Sequence, residues 1–205
     1  MSGVDYLVLV NKRNPLPAGW AEALETVTVT NSLGEEIPLE KKACAAFRAL
    51  AEAMEREGIR LELDSALRSV EDQRAVAAHF LEKNGPDYVR RYVAVPGYSE
   101  HHTGLALDLY FITGGRTVYT NEEMNRPENA GAWAAIHAKL AAFGFILRYP
   151  PDGEAETGYA YEPWHVRYLD DPDAAREIMD RGIVLETWLA EKRGPAGRKR
   201  EPDVE

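Results

Sequence analysis

The segment Leu105 to Phe111, Leu-Ala-Leu-Asp-Leu-Tyr-Phe, places leucine or phenylalanine at 105, 107, 109 and 111, with Ala106, Asp108 and Tyr110 between them. Successive side chains of a strand point to opposite faces, so this run reads as a strand with one strongly apolar face. Asp108 is turned away from the leucines. A chain that accepts this strand must build its core on one side of a sheet and something polar on the other.

Other elements gather around that strand. Phe47, Leu50 and Met54 recur at spacings of three and four within 39–57, and Gly58 follows them, which predicts an amphipathic helix packed by one face. Residues 59–67 alternate apolar and polar through Asp64, the period of a half-buried strand, with Arg68 at its end. On that alternation Asp64 and Ser65 face opposite sides. Ser69, with Asp72 three residues later, predicts a helix N-terminus, and the helix continues through Val76 and Phe80 to Gly85. Trp133, Ile136, Leu140 and Phe143 mark a helix over 129–143 that stops at Gly144 and is followed by strands over 145–149 and 164–168. Asp171-Pro172 opens a last helical region ending near Lys192. Strands and helices mingle without a steady βαβ rhythm. The expected fold is therefore α+β, a single domain with a mostly antiparallel central sheet flanked by helices. Residues 1–192 are expected to form that domain and 193–205 a polar tail with no apolar anchor.

The total of 205 residues, 45% of them hydrophobic, supports one core without staples. Cys44 is the single cysteine, so no disulfide forms within the chain and a four-cysteine zinc module is impossible. Any metal must be held by histidine and carboxylate. A formal net charge of −10 repels nucleic acid and anionic membrane surfaces, so neither is an expected partner. The apolar run Tyr6 to Val10 is shorter than the roughly 7 to 15 residues of a signal peptide, and no stretch approaches the roughly 18 needed to span a bilayer. As written the chain is expected to be cytoplasmic; as the mature part of an exported precursor it would belong to the cell envelope.

Two segments concentrate chemistry. In Ser99-Glu-His101-His-Thr-Gly104-Leu-Ala-Leu-Asp108, Gly104 lets the chain turn so that a loop histidine and a strand aspartate point at one spot; the second segment is Glu162-Pro-Trp-His165. Two imidazoles and one carboxylate leave a fourth tetrahedral position for water, the arrangement of a catalytic zinc. Glu162 is the candidate for that water's proton, because Pro163 interrupts regular pairing and lets Glu162 and His165 face one cleft. On spacing alone a chance pairing of His101 and Asp108 stays open beside the metal reading. His102, His79 and His137 are read as packing or surface residues, and Cys44 as a small buried residue.

Read together, Ser-x-His-x-x-Gly-x-Ala-x-Asp at 99–108 and Glu-x-x-His at 162–165 resemble the two signatures of zinc D,D-peptidases of the VanY and VanX type, in the superfamily of lysostaphin and the hedgehog domain. Five further blocks are similar, in family order: Val8-Leu-Val-Asn-Lys-Arg-Asn-Pro-Leu-Pro17, Leu67-Arg-Ser-Val-Glu-Asp-Gln73, Pro96-Gly-Tyr-Ser-Glu-His101, Phe143-Gly-Phe-Ile-Leu-Arg-Tyr-Pro150 and Thr157-Gly-Tyr-Ala-Tyr-Glu-Pro-Trp-His-Val-Arg-Tyr168. The resemblance implies one zinc per chain, in a cleft on the sheet, with His101, Asp108 and His165 as ligands. It implies Glu162 as general base and acid, and Arg68 at the substrate carbonyl. Ser99 falls at the signature serine and is an expected substrate contact, Gln73 either touches substrate or braces Arg68, and Trp164 is either pocket wall or core. Where many members read Ser-Gly-Tyr-Arg, this chain has Ser65-Ala66-Leu67-Arg68.

The implied reaction removes the terminal D-alanine from D-Ala-D-Ala-ending peptidoglycan stem peptides or their precursors. Dipeptide-cleaving relatives tend to carry an acid two to three residues before the arginine; Ser65 stands at the aligned position, with Asp64 expected on the opposite face. Carboxypeptidase action is therefore expected to exceed dipeptidase action. An L,D-carboxypeptidase shares the catalytic signature, and a zinc-fold binding module is the non-enzymatic rival. The presence of both Glu162 and Arg68 favours an enzyme, since a binder needs neither.

Overall fold

The computed structural model describes residues 3–194, so most of the predicted tail lies outside the described residues. In chain order the elements are α1 (Trp20–Ala23), β1 (Thr26–Thr30), β2 (Glu36–Glu40), α2 (Lys41–Glu55), β3 (Arg60–Ser65), α3 (Val70–Asn84), α4 (Pro86–Tyr92), β4 (Ala106–Thr113), β5 (Arg116–Val118), α5 (Asn121–Met124), α6 (Ala130–Leu140), β6 (Phe145–Leu147), α7 (Glu154–Thr157), β7 (His165–Tyr168), α8 (Pro172–Arg181) and α9 (Leu185–Arg193).

The strand singled out by its leucines, β4, is the spine. β3 runs antiparallel along one edge of it, while β7 and then β5 share the other edge, and β6 closes the sheet beyond β7. Antiparallel pairing throughout gives the α+β single domain expected from the mingled elements. Leu105, Leu107, Leu109 and Phe111 are completely buried and pack with Phe47, Leu50 and Met54 of α2 and with Trp133, Ile136 and Leu140 of α6. The helical periodicities thus mark the faces that cover the leucine side of the sheet. Removing apolar surface of this kind from water contributes roughly 25 cal/mol per Å², which makes this layer the main stabilising contact of the fold.

The opposite face is not uniformly open. Tyr110 is also fully buried, its ring edge-on to Tyr119 and its hydroxyl 2.9 Å from Ser32 Oγ. Ser32 lies in the turn between β1 and β2. The expected elements do not include that hairpin, although Val27, Val29, Ile37 and Leu39 alternate as a hairpin should.

Helix ends follow the caps. Ser69 accepts from the Asp72 amide, but the short Asp72 side chain accepts from the Ser69 hydroxyl instead of reaching back to the cap amide as a glutamate would. Asp171 caps α8 by accepting from the amides of Asp173 and Ala174, and Gly182 at φ 60° divides the last helical region into α8 and α9. Among the described residues no helix is long and apolar enough to cross a membrane.

Candidate active site

Strand register builds the centre. Asp108 lies opposite His165 across β4 and β7, and opposite Ser65 across β4 and β3. Three side chains on adjacent strands thereby share the face turned away from the leucines. His101 arrives from a 3-10 turn, Glu100–Thr103, capped by the Ser99 hydroxyl, which accepts from the His101 amide. Gly104 then swings the chain into β4 with φ 70°, and a Cβ there would lie 3.3 Å from both the Glu40 nitrogen and Leu24 Cδ2. Both the dihedral and the space demand glycine.

Asp108 divides its two oxygens between the imidazoles: Oδ2 is 3.0 Å from His101 Nε2 and Oδ1 is 2.9 Å from His165 Nδ1. Burial alone would raise the Asp108 pKa, but charge and hydrogen bonding from His101 and His165 hold it well below the carboxylate range. The far ring atom of His101 is fixed, Nδ1 donating to the Ala66 carbonyl at 2.7 Å. One donor atom from each of His101, Asp108 and His165 lies within 4.8 Å of the others. Two imidazole nitrogens and a carboxylate oxygen, convergent and mostly buried, fit a zinc ion with an open fourth position.

Glu162 stands beside this cluster, its Oε2 3.7 Å from His165 Nδ1. Its amide donates to the Tyr149 carbonyl and its own carbonyl accepts from the His165 amide, so the turn around Pro163 aims both side chains inward. Burial pushes the Glu162 carboxyl up to about 8. A carboxyl poised there exchanges a proton near neutral pH.

Arg68 is held from every side. Its amide donates to the His101 carbonyl, Nη1 donates to Gln73 Oε1 at 2.9 Å, Nη2 donates to Ser65 Oγ at 2.7 Å, and Nη2 is 3.7 Å from Asp108 Oδ2. Gln73 donates from its other end to the Ala94 carbonyl, so both ends of its amide are engaged. The Ala66-Leu67 departure falls where backbone does the contacting: Ala66 offers its carbonyl to His101 and the Leu67 amide donates to Pro38. His102 is turned from the metal cluster, donating from Nδ1 to the Arg68 carbonyl and accepting at Nε2 from Gly97. His137 bonds the Pro163 carbonyl and stacks on Trp133, and His79 is exposed on α3.

One expectation is overturned. The β3–β4 register shifts between Leu63 and Ser65, so Asp64 is an extra, bulged residue and the two-residue alternation fails there. Asp64 lines the same cleft as Arg68 and Asp108, while Ser65 pairs with Asp108 and holds Arg68. The cleft has a volume of about 190 Å³, and Ser99, Gln73, Trp164 and Glu162 contribute to its walls. Its outer wall is a stack of Phe80, Tyr88 and Tyr92, with centroids 5.5 and 4.7 Å apart, and Asn121 donates to the Tyr88 hydroxyl. The amino-acid order carries little sign of this wall, because α4 is too short to show a period; Pro86 after Gly85 is the one local signal for a helix start there.

A family model described as "VanY: D-alanyl-D-alanine carboxypeptidase" matches residues 36–171. The chain is 34% identical over 189 residues to the putative carboxypeptidase YodJ of Bacillus subtilis, covering 90% of this chain and 67% of that protein. It is 32% identical over 193 residues to the bifunctional D-Ala-D-Ala dipeptidase and D-Ala-D-Ala carboxypeptidase VanXYC of Enterococcus gallinarum, covering 92% and 93% of the two chains. A solved structure of a variant of the vancomycin-resistance D,D-pentapeptidase VanY, in complex with Zn(II), superposes with a TM-score of 0.71 at 31% identity, covering 90% of this chain and 98% of that one.

Proposed function

This chain belongs to the VanY family of D-alanyl-D-alanine carboxypeptidases, and on that premise we propose that it is a zinc-dependent D,D-carboxypeptidase removing the terminal D-alanine from D-Ala-D-Ala-ending peptidoglycan stem peptides or their precursors. The observation that carries this reading is the convergence of His101, Asp108 and His165 on one point, with Glu162 beside them. These three residues would hold the zinc, which supplies a Lewis acid that acidifies water and polarises a carbonyl.

The chain's own groups do the rest. Glu162, whose carboxyl burial pushes up to about 8, takes the proton of the attacking water and returns it to the leaving amine of D-alanine. Arg68, permanently charged and fixed by Gln73 and Ser65, stabilises the negative charge that develops on the scissile carbonyl oxygen without having to reorganise. Ser99 and Trp164 line the cleft where the peptide lies.

A second reading, action on the free dipeptide as well, is favoured by Asp64, whose carboxyl in the cleft gives a substrate ammonium an acidic partner. The test is incubation of zinc-loaded protein with an acylated D-Ala-D-Ala pentapeptide, the free dipeptide and the tetrapeptide stem, with products read by mass. Chelator-sensitive release of D-alanine from the pentapeptide is expected. Release from the tetrapeptide alone would transfer the reading to an L,D-carboxypeptidase, and no release from any substrate would leave a binding module.

A further inference from the structure

Glu100, between the signature serine and the first histidine, is buried with its carboxylate fully enclosed. Its Oε1 accepts two charged hydrogen bonds, from Arg148 Nε at 2.8 Å and Arg167 Nη1 at 2.9 Å. Both arginines are 0% exposed; Arg148 also makes a bidentate pair with Glu186, and Arg167 donates to the carbonyls of Tyr6 and Val8. Among the described residues, the buried side-chain polar atoms without a hydrogen-bond partner are Glu100 Oε2, Tyr159 Oη and His165 Nε2. Two of these three face each other: Glu100 Oε2 and His165 Nε2 are 3.5 Å apart.

We propose that Glu100 is a positioning residue that holds the Nε2 proton of His165 and so leaves Nδ1 free to bind zinc. This rests on the zinc reading above. A neutral imidazole offers one lone pair only if its other nitrogen carries the proton, and His165 turns Nδ1 toward Asp108 and the metal cluster. A buried donor left without an acceptor is costly, so the unshared Glu100 oxygen and the unshared His165 nitrogen satisfy one another. The division of oxygens separates this role from plain charge balance. Glu186 presents both oxygens to Arg148, whereas Glu100 gives a single oxygen to both arginines and turns the other to the histidine. Anchored in this way, the carboxylate fixes the ring's orientation as well as its tautomer.

The experiment compares the parent, Glu100→Gln and Glu186→Gln by chelator competition for zinc and by thermal unfolding, with 1H–15N NMR of the His165 ring in the zinc-loaded parent. Glu100→Gln should weaken zinc binding about 10- to 100-fold. Glu186→Gln, which breaks the outer pair of the same ion network, should lower the melting temperature and leave zinc affinity unchanged. The His165 proton should sit on Nε2, protected from exchange. Unchanged zinc affinity in Glu100→Gln, equal weakening in both variants, or a proton on Nδ1 would each overturn the proposal, and the NMR result stands even where Glu100→Gln does not fold. A parent that binds no zinc would instead bring down the zinc reading on which the proposal rests.

Discussion

Asp108 and His165 are register partners across the β4–β7 ladder, so two of the three candidate metal donors are placed by backbone pairing and not by side-chain reach. Directly opposed residues on one face of antiparallel strands stand about 4.5 to 5.5 Å apart at Cβ, close enough for both to meet one ion. His101 needs a separate device, the glycine-terminated turn, to reach the same point.

The first prediction concerns the metal. His101→Ala, Asp108→Ala and His165→Ala should each bind less than one zinc per chain after dialysis, because three protein ligands leave none to spare. Full zinc in any of these variants would remove that residue from the site.

Chemistry should separate from binding at Glu162 and Arg68. Glu162→Ala is expected to retain zinc and fold while losing nearly all turnover, since a base moves protons without holding the ion. Arg68→Ala should lose about 10²- to 10³-fold in kcat, the range for one charge-stabilising donor. Turnover within a few-fold of the parent for either would refute the assigned role.

Gln73 is expected to act through Arg68, and a double-mutant cycle tests that. Gln73→Ala should lower kcat in the parent and have little further effect in the Arg68→Ala background, because the two share one interaction. Additive losses would place Gln73 on the substrate itself.

Asp64 is expected to set the balance between substrates. Burial raises its pKa, and it lines the cleft beside Arg68 and Asp108. Asp64→Asn should reduce kcat/KM for free D-Ala-D-Ala by about tenfold, equivalent to about 1.4 kcal/mol, and leave the acylated peptide nearly unaffected. Equal losses on both substrates would show that Asp64 does not meet the ammonium.

Acid stability should report the Glu186 pair. Burial alone raises the Glu186 pKa, but Arg148 more than offsets it, so the folded value lies below the reference of 4.5. A depressed folded pKa contributes stability above the unfolded pKa and loses it as pH falls through the folded value. The melting temperature should therefore fall as pH drops below about 4.5, and Glu186→Gln should flatten that part of the profile. An unchanged slope in the variant would show that the pair contributes nothing to acid stability.

The face of Asp108, the cap at Ser69, the turn at Gly104 and the packing stripe of α2 were legible in the amino-acid order alone. Each rests on local rules: side-chain alternation, a hydroxyl within reach of its own helix, a dihedral open to glycine, a 3.6-residue period. The side of Asp64 and the surroundings of Glu100 were not legible. Whether β3 carries a bulge depends on how it pairs with β4, more than forty residues away in the chain, and one extra residue reverses the face that alternation assigns. Glu100 meets arginines 48 and 67 residues downstream, and its second oxygen faces His165 of β7. Local dihedral preference determines which residues stand on a strand or a turn. Long-range register and burial decide what those residues face, and tertiary packing alone supplies both.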